Sequence, residues 1–523
     1  MLFDTAGRPL MRRRAFLAAS ASSVLFASRG WSGDEIVVRK PKLGANPFTL
    51  GVASGDPAPD GFVIWTRLAP KPLEGGGMPN DAVAVAWEVA EDEAFQKVVR
   101  QGESIALPQL AHSVHVEVEG LAPDRWYWYR FGVGEETSPI GRSRTVPAFD
   151  SVPSEVRFAV ASCQHFESGL YTAYQHMAED ELDLVLHLGD YIYEGPGKPG
   201  GVRQHVVDHE LASLEDYRSR HAQYKTDEQL QRTHARFPWL VAWDDHELEN
   251  NYASLISEDA SVTPEEFAQR RANAYQAYYE HMPLRRASLP AGPDMKIYRR
   301  VRWGQLADFN MLDTRQYRSN QPNGDGGKPL YGEVFNPRAT MLGRRQENWL
   351  YQGLLESPCR WNVLAQQVMM ARVDMKPGPE GMFGMDIWSG YDAPRKRLLD
   401  FLATRRVANP VVLTGDIHSN WCNDLLVDFD KPDGPVVGSE FVATSISSSG
   451  DSKKTSPERE EALKENPFVK FFSLERGYVR CAVSPKLWKS DYQAVEYVTR
   501  PGAPLETRKS FVIEAGQAGV KPA

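Results

Sequence analysis

Five short stretches place metal-binding and proton-handling side chains where an apolar run stops. They are Ala161-Ser162-Cys163-Gln164-His165, Gly189-Asp190-Tyr191-Ile192-Tyr193, Trp243-Asp244-Asp245-His246-Glu247 with Asn250-Asn251, Leu312-Asp313-Thr314-Arg315, and Thr414-Gly415-Asp416-Ile417-His418-Ser419. A buried strand does not end on a carboxylate and a phenol unless something there satisfies them. The spacing Gly-Asp-x-x-Tyr sets two hard oxygen donors, Asp190 and Tyr193, just past the apolar run 182–186. Across the five stretches the donors are thiolate, phenolate, carboxylate, amide and imidazole. That mixture suits a cluster of unlike cations better than one tetrahedral zinc. Asp245 and His246 are adjacent and need an irregular loop to face one site. Asp416 and His418 are one residue apart, so extended backbone would turn both to the same side.

Not every polar residue here is a candidate. His187 lies inside its apolar run and reads as a core or supporting histidine, and His165 as a supporting one. The run Ser445-Ile446-Ser447-Ser448-Ser449-Gly450 lacks the Gly-x-Ser-x-Gly elbow of a nucleophilic serine. It reads as a polar strand end near the substrate. Cys359, Cys422 and Cys481 carry no expected function, although two of them could pair after export.

The elements that hold these residues come in two textures. Residues 46–148 contain short β-branched and aromatic runs (48–52, 61–67, 83–89, 114–118, 126–133) separated by turn signals such as Asp56-Pro57 and Pro123-Asp124. That pattern predicts a small antiparallel β-sandwich. Its aromatic row Trp126 to Phe131 reads as core and cross-strand packing rather than a sugar platform. From Glu155 onward, apolar runs at 156–161, 182–188, 240–243, 306–312, 363–366 and 411–413 alternate with helical stretches, which predicts an α/β domain. Its ligands should gather at the carboxyl ends of the strands. Thr263-Pro264-Glu265-Glu266 and Ser456-Pro457-Glu458 carry helix-start signals.

The 523 residues allow two or three domains. A net charge of −9 argues against a nucleic-acid-binding surface, and four scattered cysteines exclude a disulfide scaffold. Arg13-Arg14-x-Phe16-Leu17 before a weakly apolar Ala/Ser stretch resembles a twin-arginine signal, expected over residues 1–32. Its partner would be the twin-arginine export machinery, and its destination the periplasm or the medium. No later segment is apolar enough to span a membrane.

In this order, the five stretches and Asn46-Pro47-Phe48 resemble the alkaline phosphatase D family of the metallophosphoesterase superfamily. The resemblance implies a metallophosphoesterase-type αββα sandwich over residues 154–500, behind a fibronectin- or Ig-like domain over 46–148 and before a C-terminal tail, 501–523. It implies a ferric iron on Cys163, Asp190 and Tyr193. Asp190 would bridge to one or two calcium ions, with Asp245, Asn251, Asp416 and His418 completing the shells. Anionic phenolate and thiolate favour a trivalent ion, and a carboxylate at Asp416 hardens the second site toward calcium.

The implied function is that of an exported phosphoric-ester hydrolase acting on small mono- and diesters through metal-activated water. His246 would protonate the leaving oxygen, Arg315 would fork onto phosphate oxygens, and Asp313 would orient that loop. Two other readings are a phospholipase D-like diesterase and a non-catalytic surface binding protein with a structural metal cluster. The chain departs from the family pattern at Asn466-Pro467-Phe468, where a histidine would follow the proline, and in its short polar tail, which leaves open whether a C-terminal lid covers the site.

Overall fold

The apolar runs after Glu155 form two sheets that meet face to face. The computed structural model describes Val38–Arg39, residues 45–376 and residues 378–523. The expected signal segment, 1–32, lies outside the described residues. In the first sheet, strands Val156–Ala161, Leu184–Leu188 and Pro238–Ala242 run parallel. In the second, Ala307–Met311, Trp361–Ala365, Pro410–Thr414 and Val436–Val442 run parallel. Most of these strands are buried along their whole length, which is why they read as unbroken apolar runs.

Alternation along each strand builds the layers. Val160, Leu186 and Leu240 of the first sheet meet Phe309, Val363 and Leu413 of the second in one central core. Ala159, Val185 and Trp239 point the other way, against helices that supply Tyr174, Leu230 and Tyr275. Leu364 and Val412 face an outer layer with Leu350 and Leu398. The result is the helix–sheet–sheet–helix sandwich, and burying each large side chain contributes about 1.5–3 kcal/mol. Thr263 caps helix Pro264–His281 with a full capping box, and Ser456 caps Pro457–Leu463.

The amino-terminal module is the expected β-sandwich, and one of its two sheets continues into the α/β domain. Strands Val52–Ala58, Gly61–Arg67 and Ser113–Val118 extend the first sheet, Val52–Ala58 pairing in parallel with Pro238–Ala242. Ala82–Ala90, Val98–Ala106, Trp126–Val133 and Gly141–Arg144 form the facing sheet. Between the two lie Phe62, Ile64, Val85, Val116 and Tyr129. The aromatic row alternates as anticipated: Tyr127, Tyr129 and Phe131 are buried, while Arg142 stacks over the outward Trp126 at 3.9 Å. Of the run at 48–52, residues 48–51 make a turn into the strand that starts at Val52, because Asn46 accepts the Phe48 N–H at 2.9 Å and Gly51 takes φ +71°.

Two further expectations are corrected. Residues 501–523 are not a loose tail: Leu505–Glu514 pairs antiparallel with Leu487–Val495, and Phe511 and Ile513 enter the central core. Cys359, Cys422 and Cys481 are buried and free, so no two of them pair. Among the described residues no helix is long and apolar enough to cross a membrane.

Candidate metal centre

The five polar stretches meet where the parallel strands of both sheets end. Two glycines make the approach possible. At Gly189 (φ +109°) an added Cβ would lie 2.4 Å from the Asp244 Cβ, and at Gly415 one would lie 2.3 Å from the Ser162 Oγ. The first contact seats neighbouring loops of one sheet on each other, and the second seats a loop of the other sheet on the first.

Cys163, Asp190 and His418 bring their donor atoms within 4.8 Å of one another, as do Asp190, Asp245 and His246, and Asp244, Asp245 and Asp416. Tyr193 joins the first group: its hydroxyl donates to Asp190 Oδ2 at 2.8 Å and lies 3.1 Å from His418 Nε2. Asp190 and Asp245 are shared between groups, so the three form one continuous cluster. Asp416 and His418 fall in different groups, contrary to the expected shared side. Their backbone is not extended but left-handed, at φ +64° and +53°, and Cys163 and Asp190 take φ +58° and +55°. Such conformations cost on the order of 1–3 kcal/mol each and persist where the surroundings over-determine them.

Electrostatically the cluster calls for cations. Burial, followed by neighbouring acids, pushes the Cys163 thiol, the Asp190 carboxyl and the Tyr193 phenol well above their ordinary ranges. Burial and then Asp244 do the same to Asp416. Asp190 Oδ1, Asp244 Oδ2 and Asp245 Oδ1 are buried without a hydrogen bond among the described residues. Buried acceptors of this kind are rare unless an ion or water completes them. Thiolate, phenolate and carboxylates in one pocket therefore fit hard, multiply charged cations.

The proton-handling residues differ in their surroundings. His246 donates from Nδ1 to Glu194 Oε2 at 2.7 Å and packs against the Tyr193 ring, tilted by 32° with centroids 4.2 Å apart. Its side chain is 21% exposed, so it reaches the mouth of the cluster. Arg315 lies against the carboxylates of the cluster. Its side chain is fully buried, with Nε bonded to Asp244, Nη1 2.7 Å from Asp386 Oδ2, and Nη2 3.6 Å from both Asp245 and Asp416. The guanidinium thus sits among carboxylates, three of them donors of the cluster, and its Nη2 is buried without a hydrogen-bond partner among the described residues. Asp313 does hold that loop, accepting the Arg315 and Gln316 N–H groups at 3.0 and 2.9 Å. Asn251 donates its backbone N–H to Asp245 at 2.8 Å and its side-chain N–H to Asp325, which leaves the amide oxygen as its donor to a cation.

Several supporting residues had no expected role. Glu247 accepts the backbone N–H groups of Tyr191, Asp190 and Asp244, tying two loops together. Ser448 bridges the Tyr193 hydroxyl and the Cys163 carbonyl, both at 2.7 Å, and Ser449 lies 3.0 Å from His418 Nδ1. The serine run thus orients two of the donors. Arg476 donates to the His418 carbonyl at 2.7 Å. His187 packs between Tyr191 and Trp239, as a core residue should.

Comparison with known proteins points the same way. The description PhoD-like phosphatase matches residues 158–492, and PhoD-like phosphatase, N-terminal domain, matches residues 35–147. Alkaline phosphatase D of Bacillus subtilis (strain 168) is 53% identical over 486 residues, spanning 92% of this chain and 83% of that protein. A solved structure of PhoD superimposes with a TM-score of 0.90 at 53% identity, covering 92% of this chain and 93% of that one.

Proposed function

The chain belongs to the PhoD-like phosphatase family and is a phosphatase, and we propose that the cluster between its two sheets hydrolyses both mono- and diesters of phosphate. Cys163, Asp190, Tyr193 and His418 would hold a ferric iron. Asp190 would bridge to one or two calcium ions on Asp245, Asn251 and Asp416. When bound, such ions supply Lewis acidity toward phosphoryl oxygens and lower the pKa of neighbouring water.

The chain's own residues do the rest. Glu194 occupies Nδ1 of His246 and leaves Nε2 to deliver a proton to the departing oxygen. Tyr193 fixes the plane of that imidazole by packing against it. Arg315 and Asp386 keep Asp244, Asp245 and Asp416 at fixed separations, so Arg315 acts as a positioning residue rather than a phosphate clamp. Ser448 and Ser449 hold Tyr193 and His418 in place. Arg13-Arg14-x-Phe16-Leu17 supports export by the twin-arginine route to the periplasm or beyond, which delivers a folded, metal-loaded enzyme with its thiol at Cys163 intact.

The observation that carries this reading is the convergence of Cys163, Asp190, Tyr193 and His418, four unlike donors from three distant parts of the chain. The purified full chain should hydrolyse nitrophenyl phosphate and bis-nitrophenyl phosphate. Asp190→Asn should lower kcat/KM on both by more than the roughly 10–100-fold that outer partners of a metal site cost. Activity on neither ester, or Asp190→Asn at wild-type rates, would overturn the reading.

A further inference from the structure

Beside this cluster, His165, Glu167 and His205 turn one donor each toward a common point, and we propose that they form a second, separate site for a divalent transition ion such as zinc. Their three donor atoms lie within 4.8 Å of one another. The His205 imidazole is 1% exposed, yet its Nδ1 has no hydrogen-bond partner among the described residues. A buried orphan of this kind needs a reason.

The remaining atoms of the three side chains are already engaged, and in a consistent way. His205 Nε2 lies 3.0 Å from the Tyr224 hydroxyl, and His165 Nδ1 lies 2.8 Å from Ser168 Oγ. Each imidazole is thus held by a hydroxyl on one nitrogen, and in His205 the other is left without a partner among the described residues, as in protein metal sites where an outer partner fixes the tautomer. Glu167 Oε1 accepts the backbone N–H groups of Lys198 and His205 at 2.8 and 3.0 Å. Its Oε2 is left 3.5 Å from His205 Nδ1. That separation is long for a hydrogen bond. It is close to the edge, about 3.3 Å, of a tetrahedron whose metal–ligand bonds are about 2.0–2.1 Å.

Two imidazoles and one carboxylate suit zinc or a similar ion rather than calcium, which takes oxygen ligands. Two of the nearby cations are engaged elsewhere. Arg203 is committed to Asp227 at 2.6 Å and to the Phe166 and Gly169 carbonyls, and Arg220 to the Tyr193 and Gly195 carbonyls.

Occupancy would clip the long segment between Leu184–Leu188 and Leu214–Lys225, which carries His205, to the loop after Val156–Ala161. It would also brace the catalytic cluster, because the His165 ring packs edge-on against Tyr193 with centroids 4.5 Å apart.

The test is zinc stoichiometry on the full chain purified with its own metals. After equilibration with Zn2+ and removal of loosely held ion, wild type should retain one equivalent more than Glu167→Gln and His205→Gln, with all other metals equal. Cobalt(II) in its place should give visible d–d bands that both variants lack, and added zinc should raise Tm in wild type alone. Equal zinc in wild type and in every folded variant would overturn the site. If His205→Gln does not fold, His165→Gln takes its place in the same comparison. Only the difference between variants counts, so the result does not depend on which ions the main cluster carries.

Discussion

His246 owes its proton to its neighbours. Burial alone would lower the imidazole's pKa, but Glu194, which accepts its Nδ1–H, raises it above the ordinary histidine range. A general acid in that state matters most when the leaving group is a poor one. His246→Asn should therefore lower kcat by about 10²–10⁴-fold on an alkyl phosphate. The loss should be far smaller on a nitrophenyl ester, whose leaving oxygen needs no proton, and paired kcat measurements on the two substrates check this. The candidate donors at this scale were legible in the sequence because Cys163, Asp190, Asp245 and Asp416 each follow an apolar run within a few residues. The left-handed backbone at Asp416 and His418 was not legible, since it is imposed by the loops packed against them. Nor was the place of Arg315, whose type fits phosphate and carboxylate equally well; only the surrounding Asp244, Asp245, Asp386 and Asp416 decide which it binds.

At the level of elements, the close seating of two loops at Gly415 is the most sensitive point. A methyl there would press on the Ser162 side chain, so Gly415→Ala should either cost on the order of 1–3 kcal/mol of stability through overpacking or push Asp416 out of register. A denaturant melt alongside metal content distinguishes the two. Helix Leu214–Lys225 contains a second stress. Lys225 is fully withdrawn from water, 4.5 Å from the centre of the Trp65 ring, and burial lowers its pKa from 10.5 to about 7.

Between those two values the unfolded chain binds a proton that the folded chain does not. Stability therefore falls as pH drops from about 10 to 7, and the full penalty is present below 7. Lys225→Met should accordingly stabilise the protein at pH 6 by a few kcal/mol, because each tenfold loss of proton affinity on folding costs about 1.4 kcal/mol. The gain should fade by pH 10 to 11, as chemical melts across that range would show. Strands buried on both faces, such as Pro410–Thr414, announced themselves as apolar runs. Val98–Ala106 and Leu505–Glu514 did not, because one face of each looks outward and carries Gln101, Glu103, Glu506 and Arg508.

Over the whole molecule, the boundary near residue 150 divides the sequence but not the first sheet. Val52–Ala58 hydrogen-bonds in parallel with Pro238–Ala242, and the Trp65 indole donates to the Glu280 carbonyl at 3.0 Å. Turn signals mark strand ends but say nothing about which sheet a strand joins, so this sharing was invisible in the sequence. The described chain should unfold calorimetrically in one transition rather than two, and a chain truncated before residue 150 should not fold. The same shared architecture brings Cys163, Asp190, Tyr193 and His418 together from both sheets, and the chemistry proposed for the site depends on their joint grip on iron. The direct measurement is the visible spectrum of the purified, active enzyme beside that of Tyr193→Phe. A broad tyrosinate-to-iron band in the first and its loss in the second is the predicted result; a colourless, iron-free preparation with full activity would contradict it.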